Sequence, residues 1–399
     1  MPQRPPLPLE GILVADFSRV LAGPLCTQLL ADEGARVLKI EDPQRGDETR
    51  RWGPPFLADV STYFLSVNRN KESVAVDLRD PEGAAFARAL IERADVVVDN
   101  FLPSQRAALG LDAVLEINPA AIHCSITGFD GDTAEASTPG YDLLAQAEAG
   151  IMSITGESEP AKIGVALSDV LTAHYAHGAI CAALYARERS GRGARIEVSL
   201  FGATLASLIN VAHGALATGT EARRYGNAHP SIVPYQLFHG SDRVFAIGAG
   251  TDRHFRLLCE RVLERPELAA DTRFATNAAR VTNRETLVPL LEELFRTRAA
   301  DEWVARCREA AIPSSVVQGV LEALRSEPAQ PLVARVEHPA LGAYQTVLNP
   351  VRFDGARLPV RTPPPALGEH TEAVAREISD TTARTARGSR RTRTPEDRR

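Results

Sequence analysis

The stretch "GVALSDVLTAHYAHGAICAALY", residues 164–185, sets one carboxylate, Asp169, at the head of a run of small and apolar residues. Burial of a carboxylate is costly unless the charge is solvated, paired or used. Ser168 precedes Asp169 and a helical pattern follows, so the sequence predicts Ser168 as the N-cap and Asp169 in the first helical turn. Free backbone N–H groups and the helix dipole stabilise a negative charge there by roughly 0.3–1 kcal/mol. Taken alone, this is a capping motif. In an apolar wall the same position also keeps a carboxylate ionised yet poorly hydrated, which is the state a carboxylate nucleophile needs.

The elements that would hold such a residue follow an α/β rhythm. "ILVADF" reads as a strand, "GPLCTQLLADEG" as a helix closed by Gly34, and "ARVLKIE" as the next strand. "SVAVDL", "DVVVDNF" and "AAIHCSI" continue the strands, with a helix begun by Asp80 and Pro81 over "DPEGAAFARALIERA". Alternation of this kind predicts a parallel sheet, which binds ligands at the carboxyl ends of its strands. Those ends are Asp16 to Val20, Lys39 to Glu41, Asn100 with Phe101, and Thr127 with Gly128. No GxGxxG follows the first strand, so a nicotinamide dinucleotide site has no support. After a long helix from Ile163 to Arg189, the texture changes around "EARRYGNAHPSIVPYQLF", and Arg243 to Leu324 read as a separate unit. "EHPALGAYQTVLNPVRF" resembles a β-hairpin, and "PPPALGEHTEAVAREI" runs into a last helix. The predicted layout is an N-terminal part of the large domain over 1–220, a linker and small domain over 221–328, a return segment completing the large domain over 329–380, and a disordered basic tail over 381–399.

Bulk composition narrows the function. The 399 residues are 44% hydrophobic and 24% charged with a net charge of −6, which argues against a dedicated nucleic-acid binder. The five cysteines are scattered without a CxxC pair, and the Pro-rich start lacks the apolar core of a signal peptide, so a reducing cytoplasm is expected. Asp169, His174 and His177 interrupt the Ala-rich run, so no membrane span is expected. The histidines and cysteines lack metal-ligand spacing, so no metal site is expected. The tail "TTARTARGSRRTRTPEDRR" carries seven Arg against one Glu and one Asp, the composition of a solvated extension.

Several long motifs occur together: "LEGILVADFSRVLAGPLCTQLLADEGARVLKIEDPQRGDETRRWGPP", "STYFLSVNRNKESVAVDL", "HCSITGF", "PGYDLLAQA", "GNAHPSIVPYQLF" and "PPPALGEHT". In these the chain resembles the class III coenzyme A transferases, the CaiB/BaiF type, from about Leu9 to Thr371. The resemblance implies a Rossmann-like large domain with a parallel sheet, a smaller α+β domain, and an interlocked homodimer. It places the family's nucleophilic aspartate at Asp169. It assigns coenzyme A contacts to Ser18, Arg19, Val20, Ala22, Lys39, Asn70, Lys71, Asn100 and Phe101, with Arg106 and Tyr141 completing the site. Gly248, Ala249 and Gly250 stand where the family has a mobile lid; by spacing alone they are an ordinary strand-to-helix turn. A CoA thioester is implied as co-substrate, with no permanently bound cofactor.

Two departures stand out. The family's "NFRPG" is "NFLPS" here, with Leu102 and Ser104 replacing Arg and Gly and Arg106 displaced from the position now held by Ala108. The loop "GFDGDTAEASTPGYD" lacks the common "GQTGPY" and the Arg before "PGYD". Similarity is strongest to the branch that moves CoA from succinyl-CoA to glutarate or a related dicarboxylate. A dicarboxylate wants a cation at its distal end, for which Arg50, Arg51, Arg223 and Arg224 are candidates. Two rival functions remain. Acyl-CoA racemases of this fold place a His where Tyr141 stands, and without it α-proton exchange lacks a partner suited to neutral pH. A non-catalytic acyl-CoA-binding protein would have no use for Asp169.

Overall fold

The computed structural model describes residues 7–380; the basic tail lies outside the described residues. Six short β-branched runs form the strands β1 (Leu13–Asp16), β2 (Arg36–Glu41), β3 (Lys71–Ala75), β4 (Val96–Asp99), β5 (Ile122–Thr127) and β6 (Ala194–Ser199). All neighbours are parallel, and the sheet runs β3-β2-β1-β4-β5-β6. That is the doubly wound order, in which the chain reverses direction between β1 and β4 and opens a crevice at their carboxyl ends. The connecting helices are α1 (Ala22–Asp32), α2 (Thr62–Val67), α3 (Pro81–Ile91), α4 (Pro103–Ala108), α5 (Asp142–Glu148) and α6 (Leu167–Ser190), with α7 (Leu200–Ala206) following β6.

Alternation along each strand divides the core between two faces. Val14, Val37, Val96, Val98, Ile122 and Cys124 pack against Cys26 and Leu30 of α1 and against Ala173, Ala176 and Ile180 of α6. Ala15, Leu38, Ile40, Val74 and Val97 pack against Ala87, Leu90 and Ile91 of α3 and against Val374 and Ile378 of the helix over 371–380. Helix α1 ends as the sequence predicts: Gly34 adopts a φ of 112°, a conformation that is easy for glycine alone.

The described residues divide into two compact units, one of residues 7–151, 163–213 and 331–380, the other of 152–162 and 214–330. Residues 152–162, expected in the large domain, thus group with the second unit. That unit has an antiparallel sheet of β7 (Tyr235–His239), β8 (Val244–Gly248) and β9 (Ser314–Val316) in the order β9-β8-β7. Phe238, Phe245, Phe295 and Trp303 interlock at its centre. In the first unit, the expected hairpin is β10 (Val333–His338) with β11 (Gly342–Val347). The chain then returns to the sheet edge: Asn70 Oδ1 accepts the N–H groups of Arg361 at 2.6 Å and Thr362 at 3.0 Å, and the Ala75 N–H donates to Thr371 Oγ1 at 2.9 Å. No single described helix is long and apolar enough to cross a membrane.

Candidate active site

The crevice between β1 and β4 is held by two side chains. Asn100, just after β4, accepts the Arg19 N–H through Oδ1 at 2.9 Å and donates its Nδ2 to the Arg19 carbonyl at 2.8 Å. This reciprocal pair fixes the loop that follows β1. Val20 then takes a φ of 72°, which strains a β-branched residue. Asp47 holds it there by accepting the Val20 N–H at 3.2 Å. Gly23 lets the same loop fold onto the start of α1, because a Cβ at that position would lie 2.2 Å from the Ser18 Cβ.

Beneath the loop lies a buried ion network. Lys39 Nζ meets Asp47 at 2.8 Å and donates to the Ser18 carbonyl at 3.0 Å. Burial would raise the Asp47 carboxyl, but Lys39 and the Thr49 hydrogen bonds hold it at about 2. Lys71 Nζ reaches Asp16 at 3.2 Å, the Pro24 carbonyl at 2.8 Å and Asn68 Oδ1 at 3.0 Å, and burial brings its ammonium down to about 8. Asp16 in turn accepts from Ser18 and Thr27.

Five residues expected at coenzyme A make contacts within the protein, and one of them, Lys39, also lines a cavity of about 450 Å³. Lys39 and Lys71 are fully buried ion-pair members. Asn70 faces the returning chain at residues 361 and 362, and Arg106 turns inward to Asp99 at 3.2 Å and to the Phe101 carbonyl. Ser18 is likewise buried against Asp16. Among the arginines considered for a distal carboxylate, Arg50 pairs with Glu41 at 2.7 Å and lies over the Phe64 ring, and Arg224 donates to the carbonyls of Ser153, Glu157 and Ser158. Arg51 and Arg223 are exposed. In the second unit, Ala249 is buried and its N–H donates to the Pro234 carbonyl at 2.9 Å. The Gly248–Gly250 segment there is a strand-to-helix turn leading into α8 (Asp252–Leu257), which Thr251 caps.

Asp169 lies in a cleft of about 210 Å³ with Arg19, Val20, Ala22, Asn100, Phe101 and Tyr141. The sequence signals for these seven residues therefore converge in space. Trp52, Gly128 and Gly140 also line the cleft. The two glycines press backbone against backbone, since a Cβ on Gly140 would lie 2.3 Å from the Gly128 Cα. A larger cavity of about 450 Å³ shares Arg19, Glu48, Phe101 and Gln105 with the cleft and is edged by Arg45, Arg51 and Arg79.

Helix α6 begins two residues earlier than the capping pattern predicts. Ala166 occupies the N-cap position and Ser168 lies inside the first turn, its hydroxyl accepting from Thr204 at 2.7 Å. The cap comes instead from α5: Asp142 Oδ1 accepts the Ser168 N–H at 2.8 Å, while Oδ2 accepts from Gln146 at 2.8 Å. Asp169 stays in the first turn. Burial, and next the Asp142 charge, push its carboxyl up to about 7 against a lowering contact from the Ala22 N–H. Tyr63 of α2 belongs to the same neighbourhood. Burial and the charges of Asp169, Asp142 and Asp47 raise its phenol to about 12, and Trp52 packs on its ring edge at 5.3 Å. Asp142, Tyr63 and Trp52 sit inside the motifs "PGYD", "STYF" and "RRWG", but only their position in space gives them a role.

His123, His174 and His177 do not line the cleft. His123 is buried on Asp99 at 2.8 Å, His174 bonds the Val170 carbonyl one turn back, and His177 pairs with Glu33. Residues 9–371 match CoA-transferase family III. The chain belongs to that family. This CoA-transferase is 39% identical over 381 residues to the succinyl-CoA:glutarate CoA-transferase of Homo sapiens, covering 93% of this chain and 86% of that one. It is 39% identical over 399 residues to the succinate–glutarate CoA-transferase of Agrobacterium fabrum, covering 97% and 99%. The crystal structure of a CaiB/BaiF family protein from Brucella suis superposes with a TM-score of 0.84 at 39% identity, covering 94% of this chain and all of that one. A family III transferase takes a CoA thioester as co-substrate and a carboxylic acid as the other reactant.

Proposed function

We propose that the protein transfers coenzyme A from succinyl-CoA to a dicarboxylic acid such as glutarate, with Asp169 as the nucleophile. The observation that carries this reading is a carboxyl group raised to about 7 at a helix start inside a cleft beside two loops that follow sheet strands. About half of such a group is ionised at neutral pH, and it is poorly hydrated. The ionised Asp169 attacks the thioester carbonyl, the C–S bond breaks, and the CoA thiolate leaves a mixed anhydride. The thiolate then attacks the Asp169 carbonyl and expels succinate, giving an aspartyl-CoA thioester. The acceptor carboxylate attacks that thioester and releases the thiolate again. The thiolate finally takes the acceptor acyl group and frees Asp169. Atoms and charge balance with no net proton.

In this reading the larger cavity receives the nucleotide, with Arg45, Arg51 and Arg79 as phosphate partners, and pantetheine passes Arg19 and Phe101 to reach Asp169. Arg19 Nε, buried and without a protein partner, suits a ligand oxygen. The names of the human and Agrobacterium relatives support the dicarboxylate acceptor. Tyr141 at the cleft, in place of an imidazole, favours transfer over α-proton exchange. An interlocked homodimer is part of the proposal, and light scattering that gives a monomer refutes it. Intact mass spectrometry after hydroxylamine trapping with succinyl-CoA tests the mechanism. The wild type gains the hydroxamate mass on Asp169 and Asp169→Ala does not. Trapping that persists in Asp169→Ala overturns it, and product formed only with monocarboxylic acceptors overturns the dicarboxylate assignment.

A further inference from the structure

Outside the cleft, one cluster joins three kinds of metal-ligating atom. His177 and Cys181 lie one turn apart on the same face of α6, and Glu33, at the C-terminus of α1, reaches them from the neighbouring helix. His177 Nε2 is 2.9 Å from Glu33 Oε2 and 3.7 Å from Cys181 Sγ, and all three donor atoms lie within 4.8 Å of one another. Ordinary zinc bond lengths at a tetrahedral angle separate such ligands by about 3.3–3.6 Å. The cluster meets that spacing with shifts of a few tenths of an ångström at the sides for which a distance is given. The side chains of His177 and Glu33 are 20% and 10% exposed, which leaves a path for the ion and for a water as fourth ligand.

We propose that Glu33, His177 and Cys181 bind one divalent transition-metal ion, with zinc the best match to a mixed carboxylate, imidazole and thiolate set. On binding, the thiol proton leaves Cys181, and His177 gives up its Nε2 proton or shifts it to Nδ1, so that the metal takes the place now held by the His177–Glu33 hydrogen bond. Uptake therefore weakens as pH falls. The site is structural. His177 is eight residues beyond Asp169, about 12 Å along the helix at 1.5 Å per residue. The ion would tie the end of α1 to the middle of α6, two helices whose opposite ends present Ala22 and Asp169 to the cleft. Residue spacing alone did not expose it, because Glu33 stands 144 positions from His177.

Cys181 is the one cysteine of the five that is not buried, so its thiol can be followed without interference. The test uses full-length protein freed of metal by chelator, titrated with Zn²⁺ against a chromophoric competitor, and with Co²⁺ read by absorption. Expected are one equivalent per chain, a thiolate-to-cobalt charge-transfer band, protection of Cys181 from a thiol reagent, and a rise in melting temperature on adding Zn²⁺. Glu33→Gln, His177→Ala and Cys181→Ser should each weaken Zn²⁺ binding about tenfold or more, and Cys181→Ser should abolish the cobalt band. A wild type whose Cys181 stays equally reactive with Zn²⁺ present, or binding that survives all three substitutions, overturns the proposal and leaves an ion pair only. Neither result bears on the role of Asp169.

Discussion

Asp142 caps the helix that carries Asp169 and, with the same carboxylate, raises the Asp169 carboxyl. One side chain thus both positions the cleft carboxylate and tunes it. The two effects separate by substitution. Asp142→Asn keeps an oxygen for the Ser168 N–H but removes the charge, so the acidic limb of the rate–pH profile moves to lower pH while the fold holds. Asp142→Ala loses the cap as well and should cost about 1 kcal/mol of stability. A profile that stays in place in Asp142→Asn would remove Asp142 from the tuning of Asp169.

Asp169 itself has a measurable linkage to stability. Its folded value of about 7 lies above the ordinary 3.8, so folding favours the protonated form. The unfavourable contribution is absent below the unfolded pKa, grows as pH rises between the two values, and is complete above the folded one. Asp169→Asn should therefore raise the denaturation midpoint at pH 8 and leave it nearly unchanged at pH 3. The same variant should lose transfer activity by about 10³-fold or more. Paired denaturation and rate measurements at the two pH values check both statements.

The Asn100 clamp on Arg19 makes a different prediction. Asn100→Ala releases both the N–H and the carbonyl of Arg19, and Val20 is then free to leave its strained conformation. The expected result is a raised KM for the acyl-CoA with a smaller change in kcat, read from initial rates over a range of donor concentrations. An unchanged KM would mean that the loop keeps its shape without the clamp.

Two basic residues near the crevice should respond in opposite ways. Lys71 is fully buried against Asp16, and Lys71→Met should destabilise the protein by about 3–5 kcal/mol through the uncompensated carboxylate. Arg79, an exposed partner of Asp77, edges the larger cavity. Arg79→Ala should leave the denaturation midpoint unmoved and weaken acyl-CoA binding. Chemical denaturation and equilibrium binding of CoA to both variants make the comparison.

Gly128 and Gly140 offer a steric test. Gly140→Ala places a methyl 2.3 Å from the Gly128 Cα, which backbone can relieve only by moving. The segment that moves carries Tyr141 and Asp142. Activity should fall with the far-ultraviolet circular dichroism unchanged, and Gly140→Ala at full activity would show that the contact has slack.

The strands were legible because buried parallel strands are written as short β-branched runs: "ARVLKIE" becomes β2 and "DVVVDNF" becomes β4 almost to the residue. Position on a strand does not say where a long side chain ends. Lys39 and Lys71 look like phosphate ligands in one dimension, and only the folded sheet brings Asp47 and Asp16 against them. Ser168 looked like the cap because serine favours that role, yet Asp142, 26 residues earlier, supplies the acceptor. Local chemistry was readable, and partners drawn from distant segments were not. The first-turn position of Asp169 escaped this limit because it depends on the helix start alone.

The return of residues 361–378 to the edge and lower face of the large sheet bears on how the protein is made. Val374 and Ile378 fill the same apolar layer as Ala15 and Leu38, so that layer stays open on the ribosome until the segment that carries them has emerged. The unit of residues 214–330 emerges earlier, and its stretch is continuous apart from 152–162. A premature stop just before residue 361 would spare every cleft side chain named above and still yield a product prone to aggregation, because translation would end before the sheet had its final cover.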